Sequence, residues 1–460
     1  MDLERDAWAR EQLWTAELGD ERRVRRARKI LAELVDRPGG RISDVVVDAA
    51  ARQAAYDFVE GCVRPEALVS AFADATLRAG ASQSFLYVAI DGSSLTLTDR
   101  AGAKGFGSIG PRAFPTRGLK VITALAIEPN GAPLGLVDMQ FWARKERATD
   151  GRARRRRTMT TETRHWLDVI DGVQERMAAH TIQPWVLIDR EGDSGDMLRA
   201  LERGGARFTV RSNQNRRLAG RDRRLRTAAK RHPSVGQHMV DLTMDDVDIA
   251  VLDIRVGRVV LDLPDYTAGA RRRTNFTVNV VSVRECDAPD HRAALDWMLL
   301  TNTDVATLED ARAVIDGYSY RWRIEEFHRT WKKGHCRVEE TQLRHRDHVV
   351  RWATMHAAVA TRAERLKHLA RTSPHEPATV GFSEIEVVAL RIRKRQIKKR
   401  TETISDDMPT IATAVRWLAE TGGFQGKSTE NPGSITIGRG LERLKPFVLG
   451  LEAGLKLARR

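Results

Sequence analysis

Two apolar runs that each end in an aspartate set the tightest limit on what this chain can fold into. F-L-Y-V-A-I-D at 85–91 and P-W-V-L-I-D at 184–189 are short and almost continuously apolar, the pattern of strands buried on both faces. Between them, G-L-K-V-I-T-A-L-A-I-E and A-P-L-G-L-V-D-M-Q-F-W flank P-N-G at 129–131, which predicts a hairpin around an Asn-Gly turn. Residues 161–180 place Trp166, Val169, Ile170 and Val173 on one side of a helix. Strand, hairpin, helix, strand is the order of an α/β core with a mixed sheet. Asp91 and Asp189 close the first and last of these strands, so both are expected to point into one crevice at the sheet edge. A single aspartate in such a place is ordinarily a turn or cap residue.

Y-S-Y-R-W-R-I-E-E-F-H-R-T-W-K-K-G at 318–334 carries the densest chemistry. Placed on one helix, Tyr318, Arg321, Glu325 and Lys332 fall within roughly 60° of arc. A carboxylate can hold a divalent metal. An Arg fork and a Lys point charge beside it can hold phosphate. The plain alternative is a solvated face with intrahelical ion pairs.

The chain has 460 residues, a formal net charge of +15 and a pI near 10.1. That length predicts two or three domains, and that charge favours a polyanionic partner, nucleic acid before an anionic membrane surface. No apolar run approaches the roughly 18–20 residues of a membrane span, and M-D-L-E-R-D-A-W-A-R at the start has no apolar signal core. Cys62, Cys286 and Cys336 form no zinc spacing, which fits a reducing cytoplasm. G-K-S at 426–428 lacks the upstream glycines of a phosphate-binding loop, so no nucleotide cofactor is expected.

Residues 1–75 read as helical. Asp20 can cap a helix whose apolar stripe is Val24, Ala27, Leu31 and Leu34, and whose basic stripe is Arg22, Arg25, Arg26 and Lys29. Such a stripe can grip duplex phosphates or can be an ordinary solvated face. Residues 206–285 read as mostly β with Arg-rich loops at 216–226 and 270–274, and L-D-W-M-L-L-T-N at 295–302 returns to the core. R-A-R-R-R-R at 152–157 is a further basic stretch. Beyond about 345 the chain is helical, with R-I-R-K-R-Q-I-K-K-R at 391–400. Asp91, Asp189 and Glu325 form the trio that two hard divalent cations about 3.5–4 Å apart would need.

The spacing of Tyr318, Arg321, Glu325 and Lys332, with the flanking R-W-R-I-E-E-F-H and W-K-x-G, resembles the signature helix of bacterial DDE transposases of the insertion-sequence-4 type, the group that includes the Tn-5 transposase. D-R-E-G-D at 189–193 resembles the family motif around its second aspartate, with Glu191 and Asp193 as orienting groups. D-G-S-S at 91–94 departs from the D-T-T or D-S-T of the family. Residues 48–61 resemble its N-terminal part, and 433–451 its region for subunit association. The resemblance implies an α/β fold: an RNase H-like mixed-sheet catalytic core at 76–345 with a β-rich insertion at about 206–285, a helical end-binding domain at 1–75 and a helical dimerisation domain at 346–460. Asp91, Asp189 and Glu325 would then be catalytic and hold two Mg²⁺ ions, with Mn²⁺ as a substitute. Tyr318, Arg321 and Lys332 would hold phosphates near the cleaved end. Trp297 would stack on a flipped base, and Arg211 in F-T-V-R would touch DNA.

The expected function is cut-and-paste DNA transposition by a bacterial, cytoplasmic and nucleoid-associated homodimer on double-stranded DNA, both transposon ends and target, through nicking, hairpin formation and strand transfer at inverted terminal repeats. The alternatives are an RNase H-like nuclease without strand transfer and a non-catalytic DNA-binding protein derived from a transposase.

Overall fold

Among the described residues, five helices precede the first strand: α1 (Arg5–Gln12), α2 (Glu21–Asp36), α3 (Ile42–Val45), α4 (Ala49–Glu60) and α5 (Pro65–Ala79). Their starts follow local chemistry. The Asp20 carboxylate accepts from the Arg23 amide at 2.8 Å, Asp48 does the same for Ala51 at 2.7 Å, and Pro65 opens α5. The computed structural model describes residues 5–458 except 101, 111–115, 145–160, 221–222, 242–248, 266–271, 289–292, 399 and 427–429. The basic stretch at 152–157 and parts of those at 216–226, 270–274 and 391–400 therefore lie outside the described residues, as does most of G-K-S at 426–428.

The core follows as β1 (Phe85–Thr96), β2 (Gly107–Ser108), β3 (Arg117–Ile127), β4 (Pro133–Trp142), α6 (Thr161–Ala179), β5 (Gln183–Ile188), α7 (Gly195–Arg203) and β6 (Arg207–Arg211). After it come α8 (Leu225–Arg231), β7 (Ser234–Asp241), β8 (Ile249–Asp265), β9 (Arg272–Cys286) and β10 (Asp296–Thr301). The chain ends in α9 (Leu308–Ser319), α10 (Trp322–Lys332), α11 (Arg346–Thr372), α12 (Glu384–Ile397), α13 (Ile411–Thr421) and α14 (Ser434–Ala458). Among the described residues the strands form one sheet in the order β2-β3-β1-β5-β6-β10-β9-β8-β7, with β4 also pairing with β3, on the edge away from β1. β1, β5 and β6 run parallel; β3 runs antiparallel to β1, and β4 turns back antiparallel to β3, which makes it parallel to β1. This is the RNase H-like α/β arrangement.

Side-chain alternation divides the core between the two sheet faces. Tyr87, Ala89, Trp185 and Leu187 face a cluster that includes Val314, Ile324, Phe327 and Trp331 of α9 and α10. Val88, Ile90, Val186 and Ile188 face Val169, Ile170 and Val173 of α6. The first cluster also takes in Leu31, Phe58 and Phe72 of the N-terminal helices. α11 holds those helices down: Arg351 donates to the Val59 carbonyl at 2.8 Å and to that of Val63, and the Trp352 indole donates to Gly40 at 2.8 Å. A third cluster joins the end of α11 to α12, α13 and α14.

Three expectations are corrected. β1 does not end at Asp91. It runs on to Thr96, because β3 continues to pair with it after β5 has stopped. β6, which the sequence reading groups with the insertion, is a strand of the core, since Trp185 to Ile188 of β5 pair in parallel with Arg207 to Val210. The segment 318–334 is not one helix. The Arg321 and Ile324 amides bond three residues back, to Tyr318 and Arg321, so a tight turn separates α9 from α10 and leaves Tyr318 on the earlier helix.

At the expected hairpin turn, Gly131 has φ +86°, and a Cβ there would lie 2.5 Å from a ring carbon of Tyr320. Gly131→Ala should therefore cost at least about 1–2 kcal/mol, the cost of a left-handed L-residue, before any clash is counted. Urea denaturation checks this, and unchanged stability would contradict the turn geometry.

Burial pushes the imidazoles of His335 and His356 down to about 4, against about 6.5 in an unfolded chain. Above pH 6.5 both states bind no proton here and the stability is fully present. Between 6.5 and 4 the unfolded chain takes up protons that the folded chain does not, so stability falls by about 1.4 kcal/mol per pH unit for each histidine. Urea midpoints should drop between pH 7 and 5, and His335→Gln should flatten the drop. A midpoint independent of pH over that range would refute it.

Candidate active site

The site begins where the parallel pairing of β1 with β5 ends. Ile90 and Ile188 are its last partners, so the next residues, Asp91 and Asp189, sit side by side in register. By alternation both lie on the sheet face that carries Tyr87, Ala89, Trp185 and Leu187, which is the face covered by α10. Asp189 also caps the turn that follows it, accepting from the Glu191 amide at 2.7 Å.

α10 is fixed against this face by two side chains. His328 Nε2 lies 3.2 Å from the Thr123 hydroxyl, and its Nδ1 lies 3.8 Å from Asp91 Oδ2. Thr123 is the cross-strand partner of Asp91. One turn on, the Lys332 ammonium donates to the Ser93 hydroxyl at 3.4 Å. Glu325 shares this helix face, since residues 325, 328 and 332 recur at helical spacing. The structure thus brings together the three acids singled out from sequence.

Their electrostatics reflect that crowding. Burial pushes the Asp91 carboxyl up to about 7. Arg321 opposes the rise, and the neighbouring charges of Asp189 and Glu325 add to it. Glu325 is ion-paired with Arg321 at 2.6 Å, with a third of its side chain exposed. Arg321 is only 8% exposed; its guanidinium lies near the rings of Tyr318 and Trp322, 5.9 and 5.5 Å from their centroids. Its Nη1 is buried and has no hydrogen-bond partner among the described residues.

Tyr318 is buried at the C-terminal end of α9 and meets Trp297 of β10 edge to face at 5.5 Å. Arg211, at the end of β6, donates to the Asp296 carbonyl at 3.3 Å and its charge acts on Tyr318. Tyr318, Trp297 and Arg211 therefore gather on the β6–β10 side of the acids, while Lys332 lies on the β1–β3 side. In this arrangement Arg321 and Tyr318 are packed inward, and Lys332 keeps a quarter of its side chain exposed. Arg22, Arg25 and Lys29 are exposed on α2 and Arg26 is half-buried; none of the four has an ion pair or hydrogen-bonded side chain among the described residues. Val24, Ala27, Leu31 and Leu34 form the opposite, inward side.

Sequence reasoning missed His328, although its position three residues after Glu325 puts it on the same face. It also missed Glu339, which accepts from the Thr96 amide at 2.8 Å and draws Lys332 and Lys333 to 3.8 Å. Only the fold brings that glutamate to β1. Asp193 orients backbone, as expected: it is buried and accepts from the Ser212 hydroxyl, the Asn213 and Gln214 amides and Arg216. Gly92, the departure from the family pattern, faces Trp166, whose ring lies 3.2 Å from where a Cβ would stand. The indole takes the space that a Ser or Thr would fill.

Three carboxylates on one face, with the negative charge at Asp91 poorly compensated, are the oxygen donor set of a hard divalent cation. The residues present therefore fit the metal that the fold implies. No helix among the described residues is long and apolar enough to cross a membrane.

Residues 5–61 match the family model described as transposase DNA-binding, and residues 159–362 match that described as transposase DDE domain. The first match contains α2 and its basic face, and the second contains Asp189 and the whole of α10. With the RNase H-like sheet and the acids at its edge, and with the two matches together spanning more than half of its residues, the chain is a DDE transposase.

Proposed function

We propose that this transposase is of the insertion-sequence-4 type and moves DNA by a cut-and-paste route, with Asp91, Asp189 and Glu325 as the ligands of two Mg²⁺ ions. The observation that carries the reading is the register of Ile90 with Ile188, which sets two aspartates side by side facing Glu325. Bound Mg²⁺ supplies activation of the attacking oxygen and stabilisation of the leaving one. Mn²⁺ has the same preference for oxygen ligands. Each round exchanges or hydrolyses one phosphodiester, so no external energy source enters.

The chain's own side chains divide the remaining work. Arg321, paired with Glu325 and with Nη1 unpartnered among the described residues, would hold a phosphate oxygen. Lys332 offers an ammonium on the other side of the site. Trp297 offers a ring face to an unstacked base, worth roughly 1–3 kcal/mol, the Tyr318 hydroxyl would serve a phosphate beside it, and Arg211 offers a charge next to them. Arg22, Arg25, Arg26 and Lys29 on α2 would hold the terminal repeats. In this reading residues 1–75 bind the ends, 76–345 carry the chemistry and 346–460 join two subunits on DNA. Nicking, hairpin formation, hairpin opening by water and joining to target DNA would follow in turn. The setting would be a bacterial cytoplasm, with the protein on the nucleoid.

Asp91→Asn, Asp189→Asn and Glu325→Gln should each lower Mg²⁺-dependent cleavage of a labelled end duplex by more than about 10²-fold, while metal-free end binding persists. Near wild-type cleavage by any one would remove that residue from the site. A wild-type protein that binds ends but never cuts would instead be a non-catalytic DNA-binding protein, and one that cuts without joining would be a nuclease.

Removing Arg22 and Arg25 together should weaken end binding and reduce its logarithmic salt slope by roughly 0.9 for each phosphate that is no longer neutralised. The measurement is fluorescence anisotropy across a salt series. An unchanged slope would move end recognition away from α2.

A further inference from the structure

Behind the acids, on the far side of α10, lies a second cluster of charged groups that the site does not use. Glu326 follows Glu325 and so points about 100° away around the helix, toward α11. Its two oxygens take the Lys367 ammonium at 2.8 Å and the His368 Nε2 at 2.7 Å. Arg323 approaches from the same helix at 3.5 Å and also donates to the Gly131 carbonyl at 3.1 Å. Lys367 pairs in turn with Glu364, which is 1% exposed. Glu364 further accepts from Thr330 of α10 and, at 2.6 Å, from Ser434, the first residue of α14.

Glu326, Glu364 and His368 offer three ligand-type atoms within 4.8 Å of one another, which looks like a metal site. It is already supplied with a cation, because the Lys367 ammonium touches both carboxylates. Against burial, which raises it, His368 and Lys367 hold the Glu326 carboxyl below the usual carboxylate range. The cluster is a closed ionic joint between α10, α11 and α14, and metal has no vacancy in it.

The joint's mechanical consequence lies on the other side of the helix. α10 has only 11 residues, and the polar contacts of His328 and Lys332 toward the sheet are 3.2–3.8 Å long. A roll of about 10° moves a carboxylate ~6 Å from the helix axis by about 1 Å. Metal sites tolerate about 0.5 Å. The polar contacts that resist a roll are the paired contacts of Glu326, the Thr330–Glu364 bond, the Arg323–Gly131 bond and the bond of the Trp331 indole to the Ala353 carbonyl at 2.9 Å; those of Glu326 alone are ionic at both oxygens.

We infer that Glu326 is a positioning residue: clamped by Lys367 and His368, it sets the rotation of α10 and so holds Glu325 where it can share a cation with Asp91 and Asp189. The inference rests on the metal-site reading above. It also makes the seating of the first residue of α14 part of the same joint, through Ser434 and Glu364.

The test uses full-length protein and titrates Mn²⁺ by calorimetry, alongside urea unfolding, metal-free end binding and cleavage. Glu326→Gln combined with Lys367→Met removes one charge of each sign. In that folded variant Mn²⁺ affinity should fall by about 10–100-fold, the range seen when groups that orient metal ligands are removed, with end binding within about twofold of wild type. Lys367→Arg alone, which can still bridge both carboxylates, should keep Mn²⁺ affinity near wild type. Should the double variant fail to fold, Thr330→Val removes one anchor without changing charge and should weaken Mn²⁺ severalfold. Wild-type Mn²⁺ affinity in the folded double variant, or in Thr330→Val if the double variant does not fold, overturns the inference. Glu325→Gln separates the two readings: if it binds Mn²⁺ as wild type does, the metal-site assignment fails first.

Discussion

Six residue pairs between β1 and β5 underlie the functional architecture. The pairing is parallel and buried on both faces, with Leu86, Val88, Ile90, Val186, Leu187 and Ile188 all fully excluded from water. Each such side chain contributes about 1.5–3 kcal/mol on burial, together well above the cost of keeping one carboxyl partly desolvated. That margin lets the sheet edge hold Asp91 beside Asp189 despite their mutual repulsion. Where the pairing stops matters as much as that it forms. One residue further along either strand would turn its acid to the α6 face.

Beyond that edge the two strands part. β5 ends in a turn capped by Asp189, whereas β1 continues along β3 as an arm carrying Ser93 toward Lys332. The acids are therefore flanked by that arm on the β3 side and by Tyr318, Trp297 and Arg211 on the β6–β10 side.

α10 joins the acids of the sheet edge to the helices behind them. Its acidic pair serves two unlike environments: Glu325 is partly exposed and paired with an arginine, and Glu326 is locked to α11. Adjacent residues of one type thus hold different work because a helix turns about 100° between them. The α11 that receives Glu326 also fastens the N-terminal helices through Arg351 and Trp352, so the DNA-binding helices and the DDE core share one 27-residue support.

By itself the sequence determined the local facts. Apolar runs and an Asn-Gly turn specified β1, the hairpin, α6 and β5, Asp20 specified the start of α2, and the spacing of Tyr318, Arg321, Glu325 and Lys332 marked the helix that carries Glu325 to the two aspartates. These were legible because periodicity, turn chemistry and capping act over a few residues. The tertiary structure alone decided that β1 outlasts Asp91, that β6 joins the core, and that Tyr318 and Glu325 lie on different helices. It also brought Thr123 to His328, Glu339 to Lys332, and Lys367 and His368 to Glu326. Those outcomes depend on strand register and on which helix faces meet, and both are set by packing between segments up to about 240 residues apart, a range at which no local pattern carries information.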